Sequence, residues 1–185
     1  ILKVCPIEMR VKDQQEAIAR GSIDLGFMTL DAKDRTNDEY VVLSQEELML
    51  IIPSGHPAAE RFSSSDTEIP TISLRELQYE PFVLMDKNST LRSVCDTAFQ
   101  KAGFTPNILF ETNNTSGIAS MVESTFCCGI IPWYYVSQPS KKLTRFHIEE
   151  RPVWDVAVSY SKNNYLNSGA REFIQLAKKW WDSIS

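Results

Sequence analysis

Leu91, Val94, Cys95, Ala98, Phe99 and Ala102 recur at i, i+3, i+4, i+7, i+8 and i+11, which lays a single apolar stripe along a helix over residues 90–102. Gly103 follows at once, and a glycine just past the last turn takes the left-handed conformation that ends a helix. Apolar strands are predicted on either side, at 82–85 and 107–110. A helix with one greasy face between two strands has to lie on a sheet, so the chain is predicted to be α/β.

The same rhythm runs elsewhere. A strand at 2–9, a helix at 12–20 closed by Gly21 and a strand at 23–30 form a strand–helix–strand unit, which crosses over right-handedly into a parallel sheet. A polar stretch at 31–39 leads to apolar runs at 40–43 and 47–53, the second ending in the turn-like Pro53-Ser54-Gly55-His56-Pro57. Residues 60–70, rich in serine and charge, read as a surface loop between lobes. Residues 73–78 read as a short helix with Ser73 as N-cap and Glu76 completing a capping box. A helix at 115–124 carries Ile118, Met121 and Val122 on one face, and a buried strand at 129–131 stops at Pro132. After a polar turn at 139–142 come a strand at 153–160 and a last helix at 168–184, with Ala170, Phe173, Ile174, Ala177, Trp180, Trp181 and Ile184 on one stripe. A doubly wound lobe is normally built outward from an earlier central strand and its helix, so a strand and helix ahead of Ile1 are expected to be missing from this sequence.

With 185 residues, 43% hydrophobic and 23% charged, the chain suits one domain or two small lobes around a hinge. Its formal net charge of -5 repels phosphate backbones, so DNA binding by this chain alone is not expected. No run approaches the roughly 18 apolar residues of a membrane helix, and no secretion signal opens the sequence, so a cytoplasmic protein without membrane contact is expected. Cys5, Cys95, Cys127 and Cys128 fit neither paired zinc knuckles nor a disulfide framework, and they read as small buried hydrophobes in a reducing compartment. The sequons at Asn88, Asn113 and Asn114 are set aside for the same reason. His56 and His147 stand far apart without companion motifs, and no GxSxG, HExxH, Walker A loop or GxGxxG occurs. No catalytic residue, metal site or cofactor is assigned, and an enzyme has the least support.

Several segments, in order and at matching distances, resemble one family. Glu16-Ala17-Ile18-Ala19-Arg20-Gly21-Ser22-Ile23-Asp24-Leu25-Gly26-Phe27 resembles the "L..G.iDlgf" signature of the effector-binding domains of LysR-type transcriptional regulators. Glu47-Leu48-Met49-Leu50-Ile51-Ile52-Pro53-Ser54-Gly55-His56-Pro57 looks like that family's hinge strand, and Ile72-Ser73-Leu74-Arg75-Glu76-Leu77 like its "i.l.dL" element. Phe82-Val83-Leu84, Ala102-Gly103-Phe104-Thr105-Pro106-Asn107, Met121-Val122, Gly129-Ile130-Ile131-Pro132 and Ala170-Arg171-Glu172-Phe173-Ile174 continue the likeness over nearly the whole chain. The resemblance implies a type 2 periplasmic-binding-protein fold: two Rossmann-like lobes, 1–52 plus 161–185 and 53–160, joined by two hinge strands at 47–53 and 153–160. It also implies homodimers, often paired again into tetramers. An antiparallel dimer pairing lobe one with lobe two is expected, with the apolar first strand as a candidate contact. DNA would be reached only through an N-terminal winged helix-turn-helix absent from this chain.

In an open α/β sheet the ligand crevice lies beyond the carboxyl ends of the strands, where helix N-termini offer unpaired N–H groups and a partial positive charge. Lys87, Asn88, Ser89 and Thr90 lie between a strand and the first striped helix; Asn113, Asn114, Thr115 and Ser116 lie between the next strand and helix. Both segments suit an anion or carboxylate, with Lys87 and Arg92 placed to add charge, although such residues also cap helices for purely structural reasons. Thr29 ends the strand at 23–30, and Met9 and Arg10 lie where the first strand passes into its helix. The resemblance sets all three at the cleft; the alternative for Arg10 is a plain solvated arginine near a helix start. Pro132 and Trp133 are candidate pocket walls, against the alternative that Trp133 is aromatic core. The expected function is sensing of a small, anionic effector held between the lobes; the alternative is a transporter's solute-binding protein on the same fold.

Overall fold

The structure, a computed structural model, describes residues 4–62 and 68–184. In chain order it forms α1 (Val11–Ala19), β1 (Gly26–Leu30), β2 (Glu39–Pro53), α2 (Pro57–Arg61), β3 (Thr71–Ile72), β4 (Pro81–Met85) and α3 (Thr90–Ala102). There follow β5 (Asn107–Thr112), α4 (Thr115–Ser124), β6 (Cys128–Pro132), β7 (Leu143–Ile148), β8 (Val153–Tyr160) and α5 (Ser168–Ile184). The chain divides into two compact units, Ile1–Gln45 with Trp154–Ser185, and Glu46–Val153.

In the first unit β1 pairs antiparallel with β8, from Gly26 opposite Ser159 to Leu30 opposite Asp155. Ile18 of α1 packs with Met28, Leu30 and Ala157, while Ile174 of α5 packs with Leu43 and Val158, so successive residues of β8 are buried by different helices. Helix α1 ends as its glycine predicts: Gly21 sits at φ +70°, its N–H donates to Ile18 and the Ser22 N–H donates to Ala17, both at 2.9 Å. Only part of the α5 stripe is covered. Ala170 and Ile174 are buried and Ala177 and Trp181 half-buried, but Phe173 is 38% and Trp180 53% exposed, with Phe173 edge-on to Phe27 at 5.7 Å. The Ile184 side chain lies outside the described residues.

The second unit is a sheet in the order β7–β2–β6–β4–β5. Strand β2 runs antiparallel to β6 and β7, and β4 runs parallel to both β5 and β6. One face carries Met49, Ile51, Val83 and Ile131 against Ile118 and Val122 of α4. Helix α3 buries Leu91, Val94, Cys95, Ala98, Phe99 and Ala102, the whole predicted stripe, and ends on Gly103 at φ +82°.

Several expectations are corrected. Residues 2 and 3 of the predicted first strand lie outside the described residues, and 4–9 form no strand: Pro6 lacks a donor, and Val4 and Ile7 are exposed. The crossover expected over the first thirty residues is therefore not formed among the described residues, where β1 pairs only with β8 and antiparallel. The apolar runs at 40–43 and 47–53 are one strand, β2, because backbone pairing continues through Ser44, Gln45 and Glu46 whatever their polarity. The predicted loop at 60–70 overlaps the end of α2, and its residues 63–67 lie outside the described residues. The helix near 74 is a 3-10 turn, Leu74–Leu77; Ser73 caps it as expected, but Glu76 pairs with Arg61 at 3.4 Å instead of closing a capping box.

Three of the four cysteines, Cys95, Cys127 and Cys128, are buried, whereas Cys5 is exposed, contrary to its reading as a buried hydrophobe. Burial pushes the Cys95 and Cys128 thiols far above their ordinary range, which keeps the reactive thiolate from forming. A chromogenic disulfide reagent is accordingly expected to titrate one thiol rapidly in the native protein and all four only after denaturation. A second fast thiol in the native state would contradict this packing.

Candidate ligand site

In the second unit the parallel strands carry the candidate residues to one edge. Met85 ends β4 opposite Thr112 at the end of β5, and the next residue, Asp86, donates its N–H to the Thr112 carbonyl at 2.9 Å. The chain leaving β4 turns through Asp86–Ser89 into α3, and the chain leaving β5 turns through Asn113 and Asn114 into α4. The two helix starts thus sit side by side, with the Thr115 hydroxyl 3.8 Å from the Met85 sulfur. Strand β6, on the other side of β4, ends at the same edge with buried Pro132 and then Trp133.

Much of the polar chemistry at these turns is local. Asp86 Oδ1 accepts both the backbone and side-chain N–H groups of Asn88 at 3.1 Å, and Ser89 Oγ accepts the Arg92 N–H at 3.1 Å. Asn114 Oδ1 accepts the Ser116 N–H at 2.9 Å, and Thr112 Oγ1 accepts the Asn114 N–H at 3.1 Å. Ser89 and Asn114 are therefore caps. Of the other first-turn N–H groups, that of Gly117 donates to the Asn114 carbonyl at 3.0 Å, and helix geometry leaves those of Thr90, Leu91 and Thr115 without an intrahelical partner. Lys87, Asn88, Asn113 and Ser116 are exposed, and Thr90 and Thr115 half-buried.

One sequence-derived role changes, and Trp133 gains a partner. Arg92 is no free charge: its guanidinium donates to Asp96 (2.8 Å), the Met85 carbonyl (3.1 Å) and Glu111 (2.5 Å). Burial opposes its charge, but the hydrogen bonds to Glu111 and Asp96 outweigh this and raise its pKa above the ordinary value. Trp133 takes the Arg145 guanidinium over its ring at 5.3 Å, and Arg145 also donates to the carbonyls of Val136 and Ser137, which ties the 133–137 segment to β7. Sequence reasoning gave no role to Met85, Asp86, Glu111 or Arg145; the partner of Arg92 that its spacing could have flagged was Asp96, four residues along the same helix.

In the first unit, Arg10 is the N-cap of α1 with no capping side-chain bond, and the Met9 carbonyl accepts from Gln14 Nε2 at 3.1 Å. Thr29 is half-buried in β1 opposite Val156. Opposite Leu30, the last residue of β1, the buried Asp155 accepts from Arg35 at 2.5 Å and from Gln45 at 3.3 Å. The Tyr40 hydroxyl pairs with the Thr36 hydroxyl at 2.9 Å and accepts from the Thr36 N–H and from Gln15, both at 3.1 Å; burial opposes ionisation, but the hydrogen bonds, that of the Thr36 hydroxyl foremost, outweigh it and lower the phenol's pKa. A groove of about 510 Å³ lies along α3 and the start of β5, lined by Arg92, Asp96, Phe99, Gln100, Phe104 and Ile108 among others. Among the described residues no group of His, Cys, Asp and Glu could hold a metal ion, and no helix is long and apolar enough to cross a membrane.

Residues 5–182 match the family model described as "LysR substrate binding domain". The HTH-type transcriptional regulator YwbI of Bacillus subtilis is 28% identical over 171 residues, 91% of this chain and 54% of that protein. The chain spans about half the length of the curated relatives it matches. The effector-binding domain of QuiR in complex with shikimate superposes with a TM-score of 0.71 at 16% identity, over 95% of this chain and 79% of that one. The regulatory domain of CcmR from Synechocystis PCC6803, in complex with 2-PG, gives 0.74 at 16% identity, over 92% and 79%.

Proposed function

Because the chain belongs to the family of LysR substrate-binding domains, we propose that it senses a small anionic metabolite through the paired helix starts of its second unit. Its mixed α/β architecture is that of this family, a type 2 periplasmic-binding-protein fold. The observation that carries the proposal is the bond from Asp86 N–H to the Thr112 carbonyl, which sets the α3 and α4 starts next to each other at the strand ends. Two adjacent helix termini offer oriented N–H groups and the positive ends of two dipoles to one carboxylate or phosphate. That the QuiR and CcmR domains were solved with shikimate and 2-PG supports a small polar ligand as the occupant.

The binding residues proposed are Lys87, Asn88, Ser89, Thr90, Asn113, Asn114, Thr115 and Ser116, walled by Pro132 and Trp133. Met9, Arg10 and Thr29 enter on the family resemblance. The ligand acts by favouring one of two states of the protein, without chemistry, and its effect is proportional to the difference in affinity between them. In this reading the whole protein is a cytoplasmic homodimer that contacts DNA through an N-terminal winged helix-turn-helix. Curated relatives of the chain are transcriptional regulators.

Thermal unfolding across a panel of metabolites, shikimate among them, tests the site. A ligand bound only to the folded state at a hundred times its Kd adds about 2.7 kcal/mol. The expected result is a saturable upshift from one chemical class, abolished in Thr115→Leu, whose larger side chain fills the mouth between the helix starts. An upshift that survives in both Thr115→Leu and Ser89→Leu would place the ligand elsewhere.

A further inference from the structure

We propose that Arg92 is the positioning residue of the ligand site: a buried clamp that fixes the spacing of the two helix starts without contributing its own charge to the ligand. This rests on the site reading above. The side chain is only 10% exposed, and its bonds reach three separate elements. Nε holds Asp96, one turn along its own helix. Nη1 holds the carbonyl of Met85, the last residue of β4 before the turn into α3. Nη1 also holds the carboxylate of Glu111, next to Thr112 and the turn into α4. The backbone of Arg92 is in turn the donor that Ser89 caps.

One planar group therefore ties the first turn of α3 to both strand ends from which the candidate segments depart. A ligand that takes N–H donors from both helix starts binds tightly only if their separation is already correct, because ordering them on binding lowers affinity. A lysine keeps the charge but lacks the flat fork that meets three acceptors at once. Glu111 is the half of the clamp that reaches α4, whereas Asp96 joins Arg92 only to its own helix. The two carboxylates are similarly exposed, at 41% and 51%, so removing either charge weakens Arg92's anchoring to a comparable degree while only one loosens the spacing.

The experiment is a titration of the whole chain with inorganic phosphate, followed by backbone amide shifts in NMR, with unfolding free energies measured in parallel. Saturable shifts are expected at Thr90, Leu91 and Thr115. Glu111→Gln and Arg92→Lys are expected to weaken phosphate about tenfold, the order of loss usual when a group that orients a ligating residue is removed. Asp96→Asn is expected to stay within about twofold while losing comparable stability. Equal weakening by Asp96→Asn, or unchanged affinity in Glu111→Gln, would reduce Arg92 to a structural tie and overturn the proposal. No response of those three amides in the unsubstituted protein would instead overturn the site reading, and the clamp's role with it. Should Arg92→Lys fail to fold, the Glu111→Gln and Asp96→Asn pair decides alone.

Discussion

Phe99→Ala is expected to lower stability by about 3–5 kcal/mol, the usual range for emptying a buried phenylalanine site. Phe99 is fully buried and stands edge-on between two other rings, Phe82 of β4 at 5.0 Å and Phe104 beyond the helix at 5.4 Å. Truncation removes the transfer free energy of one ring and two edge-to-face contacts, each worth about 0.5–1.5 kcal/mol beyond burial. The cavity cannot close easily, since Phe82 is fixed in a strand paired on both sides and Phe104 follows the left-handed Gly103. Urea unfolding followed by circular dichroism checks the size of the loss, and a cost below about 1.5 kcal/mol would mean that α3 settles onto β4 without its ring. Function should follow, because this contact seats the helix whose first turn forms half of the ligand site. The metabolite upshift is expected to shrink in Phe99→Ala and to be largely kept in Phe99→Leu.

How much of this could be read from the sequence depended on where the chain's local preferences and its tertiary pairing agree. Helices α3, α4 and α5 and strand β8 occur with the bounds that periodicity and capping residues predict, since a stripe and a stop such as Gly103 are local properties. Strand β7 was missed because Thr144, Arg145 and His147 interrupt its apolar pattern, and each polar residue has a use that only the folded unit reveals. Arg145 holds the 133–137 segment, and His147 Nδ1 meets Glu47 at 3.0 Å across neighbouring strands. The strand expected at 2–9 failed in the opposite direction: an apolar run is a strand only with a partner, and the described residues supply none. At the site, the capping residues identified both helix starts correctly because Ser and Asn next to a stripe have few other roles. The true situation of Arg92 was hidden, since its partners Met85 and Glu111 come from two different strands, and nothing in their spacing announces the contact.

Gly129→Ala tests how closely the second helix start depends on the sheet beneath it. A methyl group built on Gly129 would lie 2.6 Å from Ile118 Cγ2 and 3.0 Å from Val122 Cγ2, both on α4, and 3.3 Å from Ile51 Cγ1 on β2. These are branched side chains packed at zero exposure, with no free end to swing away, so α4 must rise off β6. Overpacking of this kind costs about 1–3 kcal/mol. The displacement also acts on the site, because α4 is a rigid rod and its first turn, Thr115 and Ser116, moves with the face that is lifted. Gly129→Ala is therefore expected to weaken ligand binding as well as stability, although residue 129 itself lies outside that turn. Ile118→Ala removes the nearest clashing carbon at its own cost of about 2–5 kcal/mol. In the double variant the new methyl fills space that the isoleucine leaves, so the two losses should fall short of additivity by about 1 kcal/mol or more. Recovery of the metabolite upshift in the double variant is the expected companion of that coupling. Additive losses with binding still impaired would mean that α4 is held in place by something other than its seat on Gly129.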